Sequence, residues 1–312
     1  MRPVLFTAQS VDDITPHMRR VTFSGDGVRA YLAENAIPNI KILLPDTSGK
    51  YGVPELDDPS STAVTDVRTV PGLLGRVRTY TVRSFDVDAG TLAIDFVLHG
   101  DEGIASAWAH RAKSGTILCA AGGGGRSIGD AEHYLIAGDE TGLPAIGAIL
   151  EKLPSSARGS AFVEVANRDE IQDLVKPDGI ELHWLSRDDA PAGTTTLLVD
   201  AVAQFPLEPE TFAWVSAESG QVVTIRKYLR AQGVPRRSML VIGYWRRGLS
   251  ENGYAKAADH DRDLKEYDSD KHGHGHGHGH GHGVAATLAA AWASFIHSAR
   301  HALAALRARL RR

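Results

Sequence analysis

The pattern of apolar residues changes near residue 130, and this change constrains the fold more than any other feature. Up to about residue 125, short segments that alternate or are β-branched are separated by turn clusters. From His133 onward, nearly continuous apolar strands alternate with helical segments. The first pattern predicts a small antiparallel β-barrel, and the second predicts a parallel sheet covered by helices. We therefore expect a β-barrel domain over residues 1–128 and an α/β domain over residues 129–260.

The expected elements follow from the same patterns. In the barrel, strands are expected at residues 4–8, 19–23, 39–44, 77–85, 92–98 and 116–120, with a helix starting near Ile104. Residues 45–71, rich in Pro, Gly, Asp, Ser and Thr, are expected to form a long, mobile loop. In the α/β domain, strands are expected at 134–137, 160–165, 181–185, 211–217 and 238–244, and helices at 144–153, 197–205 and 220–232. Parallel sheets bind ligands at the carboxyl ends of their strands.

Charge and cysteine content exclude several classes of protein. The 312 residues contain 34 Lys and Arg against 38 Asp and Glu, so the balance does not indicate nucleic-acid binding. The single cysteine, Cys119, excludes internal disulfides and a cysteine-ligated iron–sulfur cluster, and favours a cytoplasmic location. The N-terminal segment lacks the apolar run of a signal peptide, and no stretch approaches the roughly 20 apolar residues of a membrane span.

The segment Arg78-Thr79-Tyr80-Thr81-Val82-Arg83 is the first candidate site. As a strand it places Arg78, Tyr80 and Val82 on one face and Thr79, Thr81 and Arg83 on the other. Guanidinium groups, an aromatic ring and hydroxyls suit a planar cofactor that carries a diphosphate. The alternative is an exposed strand that uses its arginines for solubility.

The order Arg-x-Tyr-Thr-x-Arg resembles the flavin-binding motif of the ferredoxin reductase superfamily, in the form carried by siderophore-interacting proteins. These are FAD-dependent ferric-siderophore reductases. The resemblance implies that Arg78, Tyr80 and Thr81 hold FAD, with Thr79 between them.

Two later segments also resemble this family. The residues that match its second FAD segment are Asp95, Phe96, Val97, Leu98, His99, Ala105 and Ser106. This segment is a glycine-rich strand-to-helix turn, which alone is usually a simple connection, and His99 is equally compatible with a solvated strand end. Tyr244-Trp245-Arg246-x-Gly248 resembles the C-terminal signature that completes the FAD site. The alternative for that run is a core Tyr–Trp pair with solvated arginines.

The turn after the first strand of the α/β domain resembles the superfamily's Gly-Thr-Gly-x-x-Pro nicotinamide turn. The matching region contains Asp139, Glu140, Thr141 and Pro144. Two carboxylates oppose a pyrophosphate unless they point away or pair with a base. The donor therefore stays open between NADH, NADPH and a ferredoxin. Arg168 follows the next strand and suits either a 2′-phosphate or the solvated surface.

Basic residues are candidates for binding an anionic iron chelate. Lys41 matches a basic position that relatives use, although a solvated strand lysine is equally compatible. Arg126 and Arg247 are further candidates. Arg126 follows four glycines that permit close approach of a ligand or form a hinge between domains.

The C-terminal region carries two further features. A flexible linker over residues 261–283 contains six histidines separated by glycines, namely His272, His274, His276, His278, His280 and His282. These imidazoles could bind Zn²⁺, Ni²⁺, Cu²⁺ or iron, and the alternatives are a plain linker or a purification tag. Residues 284–312 predict a basic amphipathic helix that docks on its own protein, pairs with a partner or lies on an anionic membrane.

Together these observations predict a monomeric flavoprotein that passes electrons from NAD(P)H through FAD to a ferric siderophore in the cytoplasm. Reduction releases iron because hard oxygen donors hold Fe³⁺ much more strongly than Fe²⁺. Two alternatives remain at this point: a siderophore- or metal-binding module in which FAD is structural, and a general flavin or quinone reductase.

Overall fold

A computed structural model of the chain describes residues 3–35, 38–58, 60–101, 103–250 and 253–254. These residues belong to one compact unit and form two sheets. The predicted His-Gly linker and C-terminal helix lie outside the described residues. None of the described helices has the length and apolar character needed to cross a membrane.

The first sheet has seven antiparallel strands and matches the predicted barrel. Its strands are β1 (Val4–Thr15), β2 (Met18–Ser24), β3 (Asn39–Leu43), β4 (Val77–Thr81), β5 (Ser84–Asp86), β6 (Thr91–Val97) and β7 (Ile117–Gly124). Their order is β4-β3-β7-β1-β2-β6-β5. Three helices accompany it: α1 (Asp26–Glu34), α2 (Pro54–Asp57) and α3 (Ile104–Arg111).

The barrel closes between β4 and β5, and here the prediction of one strand over residues 77–85 was wrong. The two strands follow each other in the chain but lie at opposite ends of the sheet order. Between them, the Val82 amide donates to Pro38 O (2.8 Å), next to β3, and the Arg83 amide donates to Ala93 O (2.9 Å) on β6. The backbone thus changes partners within two residues, which leaves the sheet without open edges at this point.

The region 45–71, expected to be a mobile loop, is packed against the barrel. Tyr51, Val53 and Val67 are buried in a small cluster with Leu43 and Cys119. The Tyr51 hydroxyl donates to Ile117 O at 3.1 Å. Buried apolar side chains spaced along the segment outweigh its turn-rich composition.

The second sheet has five parallel strands, as predicted. They are β8 (His133–Gly138), β9 (Arg158–Val165), β10 (Ile180–Ser186), β11 (Phe212–Glu218) and β12 (Met239–Trp245), in the order β10-β9-β8-β11-β12. The helices are α4 (Leu143–Leu150), α5 (Leu197–Gln204) and α6 (Ser219–Ala231). Residues of α4 pack on one face of the sheet and residues of α5 and α6 pack on the other. The alternating apolar strands and helices therefore form a doubly wound layer.

Contacts between the two sheets fix how they meet. Barrel residue Met18 is buried in the same apolar cluster as Ile146 of α4. Arg83 donates to Glu151 Oε1 at 2.6 Å, just after α4. On the other side, buried Glu170 accepts hydrogen bonds from the Thr15 hydroxyl (2.5 Å) and the His17 amide (3.1 Å) of the β1–β2 turn.

Candidate active site

Strand β4 has the two faces that its sequence predicts. Tyr80 lies opposite Ile40 of the barrel core, and its ring centroid is 4.6 Å from that of Phe96. Arg78 lies opposite Ile42, and its Nη1 donates to Gly75 O (2.9 Å) and Val77 O (2.8 Å). The guanidinium is half-buried and bonds only to backbone carbonyls in these contacts, so its charge remains available to an anion.

The opposite face of β4 is open to solvent around Thr79. Lys41 lies across from it on β3 and donates from Nζ to Thr79 Oγ1 at 2.9 Å. The other neighbour of β3 is the glycine-rich end of β7, where Asn39 pairs with Gly124. A Cβ atom at Gly124 would meet nothing within 4 Å. Arg126 follows this strand and is exposed, so two predicted basic residues come from neighbouring strands beside an open strip of backbone.

The side chains of the second segment serve the barrel itself. The Asp95 carboxylate accepts two hydrogen bonds from Arg20, at 2.6 and 2.7 Å, and is 3% exposed. Phe96 is fully buried in the barrel core, while Val97 and Leu98 are partly buried against the two different cores. The sequence grouped these residues as cofactor contacts; in the structure Asp95 is paired with Arg20 of β2, and Phe96 packs in the barrel core.

The turn that follows is held by Ser106. Its hydroxyl accepts from the His99 amide (3.0 Å) and donates to Gly100 O (2.8 Å). A Cβ at Gly103 would lie 2.4 Å from His99 Cε1, so the imidazole covers the start of α3. His99 is therefore packed on the turn, and Ala105 and Ser106 are buried behind it.

The third segment lies near the first. At the end of β12, Gly243 pairs with Ala217 and Trp245 pairs with Glu218, so Tyr244 is the extra residue of a β-bulge. The Tyr244 side chain lies near the hydroxyls of Thr81 and Ser216. Burial raises the pKa of Tyr244, and the two neighbouring hydroxyls act in the opposite direction. The C-terminal signature therefore lies beside the barrel motif.

Trp245 is anchored on the predicted nicotinamide turn. Its Nε1 donates to Asp139 Oδ2 at 2.7 Å, and its ring lies over Gly193, where a Cβ would be 3.2 Å from Cη2. Arg246 and Arg247 are exposed beyond it. Tyr244 is partly buried against the core of the α/β sheet, whereas the Trp245 indole is fixed by a carboxylate and is therefore not a free lid.

The Asp139 carboxylate accepts hydrogen bonds from several donors of its own chain. It accepts from the Thr141 amide (2.9 Å) and hydroxyl (2.5 Å), the Glu218 amide (3.0 Å) and Trp245. Burial, and next the neighbouring Glu140 charge, raise the pKa of Asp139 to about 6, although the hydrogen bonds favour its ionised form. This carboxylate organises the turn and faces no open site.

Glu140 pairs with a base, one of the two arrangements that the sequence left open. Arg187, 7% exposed, donates to both Glu140 oxygens at 2.6 and 2.9 Å and lies 3.5 Å from Glu164. Glu164 also accepts from Thr195 (3.0 Å) and Gln221 (3.3 Å), and burial raises its pKa. Sequence reasoning missed Arg187, whose only signal was its place just after a strand of the parallel sheet.

The first turns of α4 and α6 are capped by the chain itself. The Gly142 and Leu143 amides donate to Asp139 O at 2.9 and 3.0 Å, and Pro144 has no amide hydrogen. At α6 the Glu218 carboxylate accepts from the Gly220 and Gln221 amides. These positions are where helices ordinarily bind phosphate, and both are filled.

The glycines of the nicotinamide turn are required by sheet packing. A Cβ at Gly142 would lie 2.4 Å from Ser216 O, and one at Gly138 would lie 2.7 Å from the same atom. Their spacing resembles a nucleotide motif, yet the atom they approach belongs to β11.

A cavity of about 380 Å³ lies at the carboxyl ends of β9 and β10. Its lining consists of Val165, Arg168, Ile171, Trp184, Ser186 and Asp188. Arg168 is exposed, as a surface arginine would be, and it shares this cavity with an indole ring and a hydroxyl.

Comparison with known proteins agrees with this arrangement. The family model described as siderophore-interacting FAD-binding domain matches residues 7–127, and the one described as siderophore-interacting protein matches residues 131–248. Ferric vibriobactin reductase ViuB of Vibrio cholerae is 32% identical over 248 residues, covering 77% of this chain and 88% of that protein.

Two solved structures are also similar. A siderophore utilization protein from T. fusca is 36% identical, with a TM-score of 0.70, and the match covers 80% of this chain and 94% of that one. The siderophore-interacting protein SipS from Aeromonas hydrophila is 34% identical, with a TM-score of 0.68, over 82% of this chain and 96% of that one.

Proposed function

The chain belongs to the siderophore-interacting protein family, and on this basis we propose that it is an FAD-dependent reductase that transfers electrons from NAD(P)H to ferric siderophores. The observation that carries the proposal is the proximity of Thr81 to Tyr244. It brings the flavin motif of the barrel and the C-terminal signature of the α/β sheet to one place.

The residues of the barrel suit FAD. Arg78 offers a half-buried positive charge for the diphosphate, Tyr80 an aromatic ring and Thr81 a hydroxyl. Gly124, with open space where a Cβ would lie, allows a ligand to approach the backbone. When bound, FAD supplies the exchange between the two-electron chemistry of NAD(P)H and the one-electron reduction of Fe³⁺.

The NAD(P)H site differs from the usual dinucleotide cradle. Because the Gly142 and Leu143 amides are bonded to Asp139, the turn of Asp139, Glu140, Thr141 and Pro144 shapes the edge of the site, and these two amides do not bind a pyrophosphate. The cavity beside Arg168 and Trp184 is the region that accepts the adenosine end, with the guanidinium placed for a phosphate. Weak, transient binding of the nicotinamide nucleotide follows. A ferredoxin donor is the alternative.

The iron chelate is held by charge. Lys41 lies within β3, and Arg126 and Arg247 lie just after β7 and β12; all three attract an anionic siderophore. One NAD(P)H and two ferric siderophores yield NAD(P)⁺, a proton and two ferrous complexes, which release Fe²⁺ because hard oxygen donors bind it less strongly. This chemistry needs no acid or base at the iron.

We also propose where the protein works. The cytoplasm supplies NAD(P)H, and the only cysteine is a buried free thiol, which fits a reducing compartment. The protein is expected to be a monomer, with any membrane contact made by the predicted basic helix at 284–312.

The test is an anaerobic titration of the full chain. The visible spectrum of the purified protein is recorded, then NADPH or NADH is added, followed by a ferric siderophore and an Fe²⁺ trap. Flavin absorbance should bleach and then recover as trapped Fe²⁺ forms. Flavin that stays oxidised with both nucleotides would redirect the search to ferredoxin. Purified protein that neither contains nor binds FAD would overturn the proposal.

A further inference from the structure

The middle of helix α4 contains a glycine that local structure does not require. Gly147 does not have a positive φ, and a glycine inside a helix costs roughly 0.5–1 kcal/mol relative to alanine. A Cβ at this position would lie 3.1 Å from Cζ, Nε and Nη2 of Arg83, which is closer than ordinary van der Waals contact. The helix therefore leaves room at Gly147 for a guanidinium group that comes from the barrel.

Arg83 is held over α4 by a salt bridge. Only 9% of the residue is exposed, and its Nη2 donates to Glu151 Oε1 at 2.6 Å, immediately after the last residue of the helix. On the barrel side, its Nε lies 3.9 Å from Asp95 Oδ2, and Asp95 is also paired with Arg20 at 2.6 Å. Charges of alternating sign thus run from β2 to the end of α4, and each buried charge has an opposite charge beside it.

The backbone places Arg83 directly after the flavin motif. The residue lies two positions after Thr81, and its amide donates to Ala93 O of β6 at 2.9 Å. Two residues further on, the centroid of the Phe85 ring lies 5.6 Å from Lys152 Nζ, which is a cation–π distance. The segment that follows the flavin strand is therefore attached to the end of α4 by two neighbouring side-chain contacts.

These contacts lie at one end of α4, and the nicotinamide turn lies at the other. The helix Leu143–Leu150 is a rigid rod of about 12 Å, so a bond at Glu151 fixes the direction in which its first turn points. That turn begins at Asp139, whose O accepts from the Gly142 and Leu143 amides. A bond that sets the tilt of α4 against the flavin strand thus also sets the distance between the nicotinamide turn and the flavin site.

We propose that Arg83 and Glu151 are positioning residues for hydride transfer: their salt bridge holds α4 against the flavin strand, so that a nicotinamide bound at the turn meets the flavin at reacting distance. Neither side chain needs to touch either cofactor. The inference rests on the proposed function, since it requires FAD at β4 and NAD(P)H at the turn.

The step concerned is sensitive to distance. The C4–H bond of the dihydronicotinamide breaks and an N–H bond forms on the flavin, so that NAD(P)H is oxidised and the flavin is reduced by two electrons. A misplacement of about 1 Å can slow such a step about a hundredfold. Loss of the salt bridge should therefore lower the rate of hydride transfer and leave both cofactors bound.

The first test compares Glu151→Ala with Thr15→Val. Each variant removes one hydrogen bond between the barrel and the α/β sheet, because the Thr15 hydroxyl donates to Glu170 just beyond β9 at 2.5 Å. The Glu151 side chain is 35% exposed, so its removal should not unfold the protein. In stopped-flow reduction at saturating NADPH or NADH, flavin bleaching should slow at least about tenfold in Glu151→Ala and less than about twofold in Thr15→Val. FAD content and bleaching by dithionite should match the wild type in both.

A second measurement is independent of turnover. In hydrogen–deuterium exchange of the full chain without added nucleotide, amides of α4 should exchange at least about tenfold faster in Glu151→Ala than in the wild type, and at the wild-type rate in Thr15→Val. Arg83→Met removes the other partner and should reproduce both effects. The double variant Arg83→Met/Glu151→Ala should be no slower in hydride transfer than the slower single variant, because both substitutions break the same bond.

Several outcomes would overturn the inference. Equal slowing in Glu151→Ala and Thr15→Val would mean that any loosening of the two sheets has this effect, and unchanged exchange in Glu151→Ala would mean that the bond does not hold α4. Loss of FAD from Arg83→Met would make Arg83 a flavin contact instead of a positioning residue. A wild-type rate in Glu151→Ala rejects the inference alone, whereas wild-type flavin that neither nucleotide reduces rejects the proposed NAD(P)H reductase together with it.

Discussion

The two strand regions of the candidate site place their polar groups in opposite ways. On the barrel, half-buried Arg78 bonds to backbone carbonyls, and the strip beside Gly124 is open. At the carboxyl ends of the parallel strands, Asp139 and Glu140 are buried and bonded to their own chain. Polar groups that remain available can bind a tightly held cofactor. Polar groups already paired within the chain instead shape a surface for a transiently bound nucleotide.

The buried side of this comparison carries an unusual amount of charge. Glu140 and Glu164 share one arginine, and Asp139 and Glu218 are paired with backbone and indole donors. Buried ion pairs add little net stability compared with apolar packing, yet losing one partner is costly. The arrangement therefore makes the α/β edge sensitive to single substitutions that the barrel surface should tolerate.

Arg187→Met should have the largest effect. It leaves Glu140 and Glu164 buried without a counter-charge, which we expect to lower the free energy of unfolding by about 3–5 kcal/mol. Urea denaturation measures this loss. Arg158→Met, which removes an exposed arginine at the other end of β9, should stay within about 0.5 kcal/mol. If the two variants are equally stable, Arg187 is not needed to neutralise the buried carboxylates at the edge of the α/β sheet.

Asp139 should give the α/β edge a pH dependence. Its pKa is about 6 in the folded protein against 3.8 ordinarily, so folding favours the protonated form. The resulting stability is fully present below 3.8 and is lost as pH rises through about 6, a total of about 3 kcal/mol.

The side chain in Asp139→Asn cannot ionise, so the variant should lack this pH-dependent contribution to stability. Between about pH 4.5 and about pH 7.5, the stability of the wild type relative to the variant should fall by about 2 kcal/mol. Urea unfolding at both pH values supplies the measurement. If the stability of the wild type and that of the variant change equally between the two pH values, hydrogen bonds keep Asp139 ionised throughout.

On the barrel side, Arg78→Ala should remove the cofactor and spare the fold. Loss of a charged contact to the diphosphate should weaken FAD binding at least tenfold, corresponding to about 1.5–3 kcal/mol. Arg29→Ala is the matched control, because Arg29 also donates to backbone carbonyls of the barrel, at Asp88 (3.0 Å) and Ala89 (2.9 Å). Absorbance ratios of the purified proteins report flavin content. A full complement of FAD in Arg78→Ala would refute the assignment of β4.

The smallest effect is expected for Lys41→Gln. A solvent-exposed charge contributes modestly and is screened by salt, so KM for an anionic ferric siderophore should rise about threefold to tenfold with little change in kcat. Lys113→Gln, at another exposed lysine of the barrel, controls for net charge. The difference between the two variants should shrink at high salt. An unchanged KM at low salt would remove Lys41 from the substrate site.

Much of the fold could be predicted because its signals are local. The switch from strands to alternating strands and helices marked both sheets, and periodicity located all five parallel strands within a few residues. Packing of the 45–71 region was mispredicted, because its turn-rich composition masked Tyr51, Val53 and Val67, which bury themselves only against a formed barrel.

The candidate site was predictable to the level of its motifs. Arg78, Tyr80 and Tyr244 belong to recognisable sequence motifs. Which side chains face a ligand, however, depends on partners that are distant in the chain. Asp95 illustrates this, because its carboxylate is bound by Arg20, a residue that no motif contains.

The sequence by itself determined the two sheets, the strand that carries the flavin-like motif and the acidic turn, since each depends on residue types within a short window. Only the tertiary structure decided that the barrel closes at Val82, that Arg187 neutralises Glu140 and that Asp139 accepts from Trp245. Those contacts join segments whose separation along the chain carries no information about their distance in space. The folding of both sheets around shared cores is what brings them together.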